Sequence, residues 1–318
     1  MPDGARLPLS VWPAEGLPRG VVLALHGFND YRRAFDLAAP LFTRAGWCLL
    51  AYDQRGFGAG PHPGVWSGHA ALAADAAEAA RLVRSRFPDL PLVLLGESMG
   101  AAVLLVAGAS TDPPAADAYV LSAPAVWGGE AMGRAGRTAL WVLAHTMPAL
   151  GFANTSPFHR ASDNDAALAA MGRDPLVLKH TRVDALWGLM QLMDAALAAS
   201  ASFSHPALLL YGGRDDLIPP RAIAALEARL PGLASGRQKV LRYAMGHHLL
   251  LRDSIRNQVV ADVIRWLDDA MPRLPGAIAR REPRSGAAGA TVEFPPPVRP
   301  SGRRLADQGP QFGRSRAV

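Results

Sequence analysis

Short runs of apolar residues recur along the first 270 positions, separated by stretches with helical spacing. Val21-Val22-Leu23-Ala24-Leu25 is one such run, and Cys48 to Tyr52, Leu92 to Leu95, Tyr119 to Leu121 and Ala207 to Tyr211 have the same character; Gln238 to Tyr243 is weaker. Runs of this length without alternation read as strands buried on both faces, hence as a parallel sheet. Ser67 to Phe87 is Ala-rich, with Leu72, Leu82 and Val83 as apolar anchors. Met99 to Ala109 is apolar nearly all round, as a helix packed centrally on a sheet would be, while Arg221 to Leu230 and Ile255 to Met271 are amphipathic. Strands alternating with helices predict a mostly parallel, doubly wound α/β sheet. Strand periodicity begins almost at once, at Leu7 to Trp12, so the natural start of the domain is expected to lie upstream.

The alternation breaks between about Pro124 and Ser200, where strand-like runs disappear. That segment reads as a helical cap, at about 125–200, inserted between two core strands. It holds Trp127, Trp141 and Trp187 and the methionines 132, 147, 171, 190 and 193. These side chains serve either ordinary helix packing or a lid whose apolar underside shapes a substrate pocket. On the second reading the three tryptophans are the pocket residues.

Composition separates the end of the chain from this body. Of 33 basic and 27 acidic side chains, nine Arg and three acids lie in 271–318, leaving 24 of each in residues 1–270. The formal charge of +6 therefore belongs to a tail rich in Arg, Pro and Gly, which cannot bury enough apolar surface to offset its chain entropy and is expected to be disordered. Such a tail, or the cap, would touch an anionic membrane surface weakly; nucleic acid is not an expected partner of the balanced body. Cys48 is the single cysteine, in an apolar run, and reads as a buried inert thiol. With no secretory signal and no apolar stretch of spanning length (Thr138 to Phe152 is the best), a cytoplasmic location is expected.

Gly96-Glu97-Ser98-Met99-Gly100 matches G-x-S-x-G between a strand-like run and an apolar helix, the setting of a nucleophile elbow. Ser98 is the candidate nucleophile. A hydroxyl needs a base, and the base an acid to orient it. The acid candidates follow the run Ala207 to Tyr211 in Gly212-Gly213-Arg214-Asp215-Asp216; Asp215 is favoured, and Asp216 can instead cap the next helix. The base candidates are His247 and His248, just past Tyr243. A metal site built on His62 and His69 lacks Cys or acid partners, so neither a metal nor another cofactor is expected. His26-Gly27-Phe28-Asn29 ends the first long run, and the Phe28 and Met99 N–H groups are placed to hold an oxyanion.

Leu25-His26-Gly27-Phe28, Asp53-Gln54-Arg55-Gly56-Phe57-Gly58, the Gly96–Gly100 elbow, Gly212 to Pro219 and His248-Leu249-Leu250-Leu251-Arg252-Asp253 fall in the order of a known group. They resemble the monoacylglycerol lipase and lysophospholipase branch of the α/β-hydrolases, also called serine aminopeptidase-like, over about residues 3–268. The resemblance implies an α/β-hydrolase fold and a triad of Ser98, Asp215 and His248, selecting Asp215 over Asp216 and His248 over His247. It implies a structural role for the Asp53 loop. It also implies hydrolysis of a carboxylic ester, a monoacylglycerol or lysophospholipid-like single-chain substrate, through an acyl-enzyme. Peptidase, thioesterase and acyltransferase chemistry use the same intermediate and stay open; a binding module lacking catalysis is the remote alternative. The cap and the Arg-rich tail lie outside the pattern of the group.

Overall fold

The computed structural model describes residues 1–129, 132–154 and 160–271. The expected disordered tail lies outside the described residues. Seven strands form one sheet: β1 (Leu9–Trp12), β2 (Gly20–Leu25), β3 (Trp47–Tyr52), β4 (Leu92–Glu97), β5 (Ala118–Ser122), β8 (Ala207–Gly212) and β9 (Gln238–Tyr243). Their order across the sheet is β1-β3-β2-β4-β5-β8-β9. Only β1 runs antiparallel, with Leu9 opposite Tyr52. Every residue of β2 to β5 and of β8 is buried, which is why those strands carry no alternation. The edge strand β9 is half-buried along its middle, and its apolar signal is correspondingly weak.

Helices cover both faces. α1 (Ala39–Arg44) and α8 (Arg256–Ala270) pack together on one, over a core that includes Phe35, Phe42, Trp47, Val260 and Trp266. α2 (His69–Arg86), α3 (Met99–Gly108) and α6 (Val183–Ala199) pack on the other. α3 is buried at every position but Val106, so no polar face marks it. α7 (Pro220–Glu227) joins β8 to β9. α1 has only six residues and escapes periodicity.

Between β5 and β8 lie α4 (Gly133–Thr146), α5 (Asp165–Arg173) and α6, as the helical expectation for this segment has it. It also contains strands, which the pattern did not foretell: β6 (Gly151–Ala153) and β7 (His180–Arg182) form an antiparallel ribbon. Three residues are too few to show alternation, and all of β6 is exposed, so there was no apolar signature to read. No helix among the described residues is long and apolar enough to cross a membrane.

Candidate active site

The chain leaves β2 for β3 on one side and returns to β4 on the other, opening a crevice between the carboxyl ends of β2 and β4. Phe28 follows β2 and Ser98 follows β4 directly. A methyl group built on Gly27 would lie 3.5 Å from Ser98 Cβ, so the two loops touch.

Ser98 has φ 55° and ψ −111°, a backbone region that side chains other than glycine rarely adopt. Two glycines permit the turn. A Cβ at Gly96 would meet the Ala101 nitrogen at 2.4 Å, and one at Gly100 the Leu25 carbonyl oxygen at 2.2 Å. The Ser98 amide bonds the Ser122 carbonyl at 2.8 Å, tying the elbow to β5. Although Ser98 precedes α3, its side chain makes no capping bond, so the hydroxyl remains available. Met99 is the first residue of α3, and its N–H has no acceptor within the helix. Neither the Met99 nor the Phe28 amide is engaged with a backbone acceptor among the described residues.

The acid and base arrive from β8 and β9. Gly213 N–H donates to the Tyr243 carbonyl at 2.7 Å and Arg214 N–H to that of Gly246 at 2.8 Å, docking one loop on the other. His248 Nδ1–H donates to Asp215 Oδ2 at 2.8 Å. The other carboxylate oxygen of Asp215 accepts the N–H groups of Leu217 (2.8 Å) and Ile218 (2.9 Å), which fix its orientation. Asp215 and His248 are both buried, whereas Asp216 is exposed. His247 is engaged elsewhere: its N–H donates to Asp253 Oδ2 at 2.6 Å, and its Nδ1 lies 3.3 Å from the same oxygen.

The residues around the site bond to one another. Gln54 N–H donates to His26 Nε2 at 3.0 Å, so Nδ1 carries the ring proton and donates to the Gly27 carbonyl at 2.8 Å. Burial pushes the His26 pKa down from its ordinary 6.5 and keeps the ring neutral. Asp53 accepts the amides of Arg32 and Ala59, both at 2.8 Å, and pairs with the Arg32 guanidinium. Burial raises the Cys48 pKa, in keeping with an inert thiol.

The three tryptophans occupy different places. Trp127 follows β5 and lies under the Arg221 guanidinium, 5.2 Å from its ring centre. Trp141 is 48% exposed on α4 and stacks on His145 at 4.6 Å. Trp187 is half-buried on α6, beside the small cluster of Leu140, Ala144, Val183 and Met190.

The motifs also hide a group that the sequence did not single out. Glu97, Asp30 and Arg252 form a buried ion cluster, and Asp253 gathers His247, Ser162 and the Asp163 amide. The available signal was charged residues embedded in apolar runs, at Glu97 within the elbow and at Arg252-Asp253 after His248. Asp163, His247 and Asp253 bring ligand atoms within 4.8 Å of one another, but Asp253 is already taken by four hydrogen bonds and Asp163 by Ser254, so the group holds itself together without an ion.

Residues 16–255 match the family model described as serine aminopeptidase, S33. A monoacylglycerol lipase of Mycolicibacterium smegmatis is 28% identical over 273 residues, spanning 83% of this chain and 93% of its own length. Monoglyceride lipase of Rattus norvegicus is 25% identical, spanning 83% and 88%. Among solved structures, a soluble variant of monoglyceride lipase from Saccharomyces cerevisiae, crystallised with a substrate analog, superposes with a TM-score of 0.72. It covers 84% of this chain and 93% of that one at 21% identity, a likeness of fold.

Proposed function

The chain belongs to the serine aminopeptidase, S33, family, and from that premise we propose that it hydrolyses single-chain carboxylic esters, monoacylglycerols and lysophospholipid-like esters among them, through an acyl-enzyme on Ser98. The observation that carries the mechanism is the buried 2.8 Å bond from His248 Nδ1–H to an Asp215 held by two amides, at the same carboxyl end of the sheet as the strained Ser98. That bond leaves His248 Nε2 as the proton acceptor. Nε2 takes the Ser98 Oγ proton as Oγ bonds the acyl carbon, and the carbonyl oxygen becomes an oxyanion. The N–H groups of Phe28 and Met99 receive that charge, and each such donor contributes on the order of 10²–10³ in rate. The alcohol departs with the proton from His248. Water, deprotonated by the same nitrogen, then releases the acid and frees Ser98. Asp215 stabilises the imidazolium formed in both halves. No step requires a metal or an organic cofactor.

The substrate class rests on two supports. The relatives from Mycolicibacterium smegmatis and Rattus norvegicus are named monoacylglycerol lipase and monoglyceride lipase, and the cap between β5 and β8 is rich in apolar side chains. Trp127 and Trp187 are the cap residues we assign to the acyl pocket; Trp141, half-exposed on α4, belongs to the cap surface. That surface is also the reading for membrane contact. Met132, Trp141, Val142, Met147, Leu150 and Phe152 are exposed, and residues 132–154 hold Arg134, Arg137 and His145 but no acid. An apolar face with basic flanks suits an anionic lipid surface.

The test is Ser98→Ala. Turnover of a p-nitrophenyl ester and labelling by a fluorophosphonate probe should both be abolished; labelling that survives would place the nucleophile elsewhere. An acyl-chain series of monoacylglycerols set against aminoacyl anilides then separates ester from peptide chemistry. Preference for the anilides would overturn the substrate class while leaving the acyl-enzyme intact.

A further inference from the structure

Ser98, Phe28 and His248 enter the site on three different segments, each past the last paired residue of its strand, and of the three only Ser98 keeps a backbone bond to the sheet, to Ser122. One side chain joins all three loops. Arg252 lies four residues past His248 and is 4% exposed. Its Nη2 lies 2.6 Å from Oε1 of Glu97, the residue before Ser98, and 2.6 Å from Oδ2 of Asp30, two residues past Phe28. Glu97 is fully buried and Asp30 4% exposed. The second guanidinium nitrogen, Nη1, lies 3.1 Å from the sulfur of Met171 on α5, which carries the contact into the cap.

This cluster is a poor device for stability. Burying three charged groups carries a heavy desolvation cost that the mutual attraction of a buried trio only about recovers; apolar residues of the same volume do as well or better. Three atoms of the cluster, Asp30 Oδ2, Glu97 Oε2 and Arg252 Nε, are buried without a hydrogen-bond partner, so Arg252 holds Asp30 by charge alone and Glu97 by a hydrogen bond as well. Burial pushes the Glu97 carboxyl up, the Asp30 charge adds to that, and Arg252 opposes it. Burial likewise works against the Arg252 charge, and the two carboxylates outweigh it. What the cluster does supply is spacing. A single nitrogen that contacts both carboxylates sets the distance between the elbow and the oxyanion loop, and its short tether to His248 sets the third.

We propose that Arg252 is a positioning residue for the hydrolysis, holding Ser98, the Phe28 N–H and His248 in one frame through Glu97 and Asp30. The proposal rests on the Ser98 acyl-enzyme reading. It requires that loosening the frame lower kcat rather than substrate binding, since misplacement of the reacting groups by about 1 Å costs up to about 100-fold.

The test uses the full chain and three variants, Arg252→Met, Arg252→Lys and Glu97→Gln. Active sites are counted by the endpoint of fluorophosphonate labelling, and Tm is measured beside kcat and KM on a p-nitrophenyl ester. In Arg252→Met, kcat per labelled site should fall about 10- to 100-fold with KM within about threefold. Arg252→Lys should recover part of that loss, because an ammonium can still approach both carboxylates. Glu97→Gln keeps the shape and an acceptor but removes the charge, and should lose at least about threefold in kcat. A kcat per site within about threefold of wild type in both Arg252→Met and Glu97→Gln, whatever Tm does, overturns the proposal. If Arg252→Met does not fold, Glu97→Gln decides by the same threshold. Ser98→Ala run in parallel keeps the two readings apart: labelling that persists there defeats the nucleophile assignment, not the frame.

Discussion

Asp215→Asn probes the orientation of the base more sharply than removal of the nucleophile does. The imidazolium formed on His248 and the Asp215 carboxylate are joined by a 2.8 Å hydrogen bond, which puts their charge centres about 4 Å apart. With an effective dielectric of about 20, that attraction is worth about 4 kcal/mol in the transition state, or about 10³-fold in rate. A second effect adds to it. The Asn carbonyl would keep the amides of Leu217 and Ile218, so its NH₂ group would face His248 Nδ1. The ring proton would then move to Nε2, where it blocks acceptance of the Ser98 proton. Together these give a loss in kcat of about 10³- to 10⁴-fold at neutral pH, with KM changed by less than about threefold. The assay is steady-state hydrolysis of a p-nitrophenyl ester, with sites counted by labelling endpoint and the fold checked by circular dichroism. Asp216→Asn is the control, because Asp216 is exposed and, among the described residues, accepts only a long 3.5 Å bond from the Arg160 amide. It should stay within about threefold of wild type. A loss below about tenfold in Asp215→Asn, or a larger loss in Asp216→Asn, would refute the reasoning.

His26 is held neutral by burial, so the unfolded chain takes up the proton first; stability present above pH 6.5 should drain away as pH falls below it, by at most about 1.4 kcal/mol per unit. Urea denaturation at pH 7.5, 6 and 5 should show a flatter dependence in His26→Gln than in wild type, and equal slopes would remove His26 as the cause. On the cap, Met147→Ser with Phe152→Ser removes two half-exposed apolar side chains worth about 1 kcal/mol each at a lipid surface. Binding to anionic vesicles should weaken roughly 30-fold while turnover of a short soluble ester holds; unchanged vesicle binding would dismiss the cap as the contact.

The buried strands and the elbow were legible because their causes are local. A strand covered on both faces must be apolar throughout, and a sharp strand-to-helix turn must be flanked by residues as small as Gly96 and Gly100. The choice of His248 over His247 came through resemblance, which also settled the preference for Asp215 over Asp216. Adjacent residues such as Asp215 and Asp216 share every local property, and only the fold decides that one faces His248 and the other solvent. The ribbon of β6 and β7 left no mark because three exposed residues need no pattern.

Taken by itself, the chain determined the alternation of elements, the parallel sheet and the serine turn, all of which follow from burial and backbone sterics within a few residues. Tertiary structure alone decided the pairing of Arg252 with Glu97, 155 positions earlier, and with Asp30. Contacts of that separation depend on the path of the whole sheet between them, and no short-range spacing encodes it.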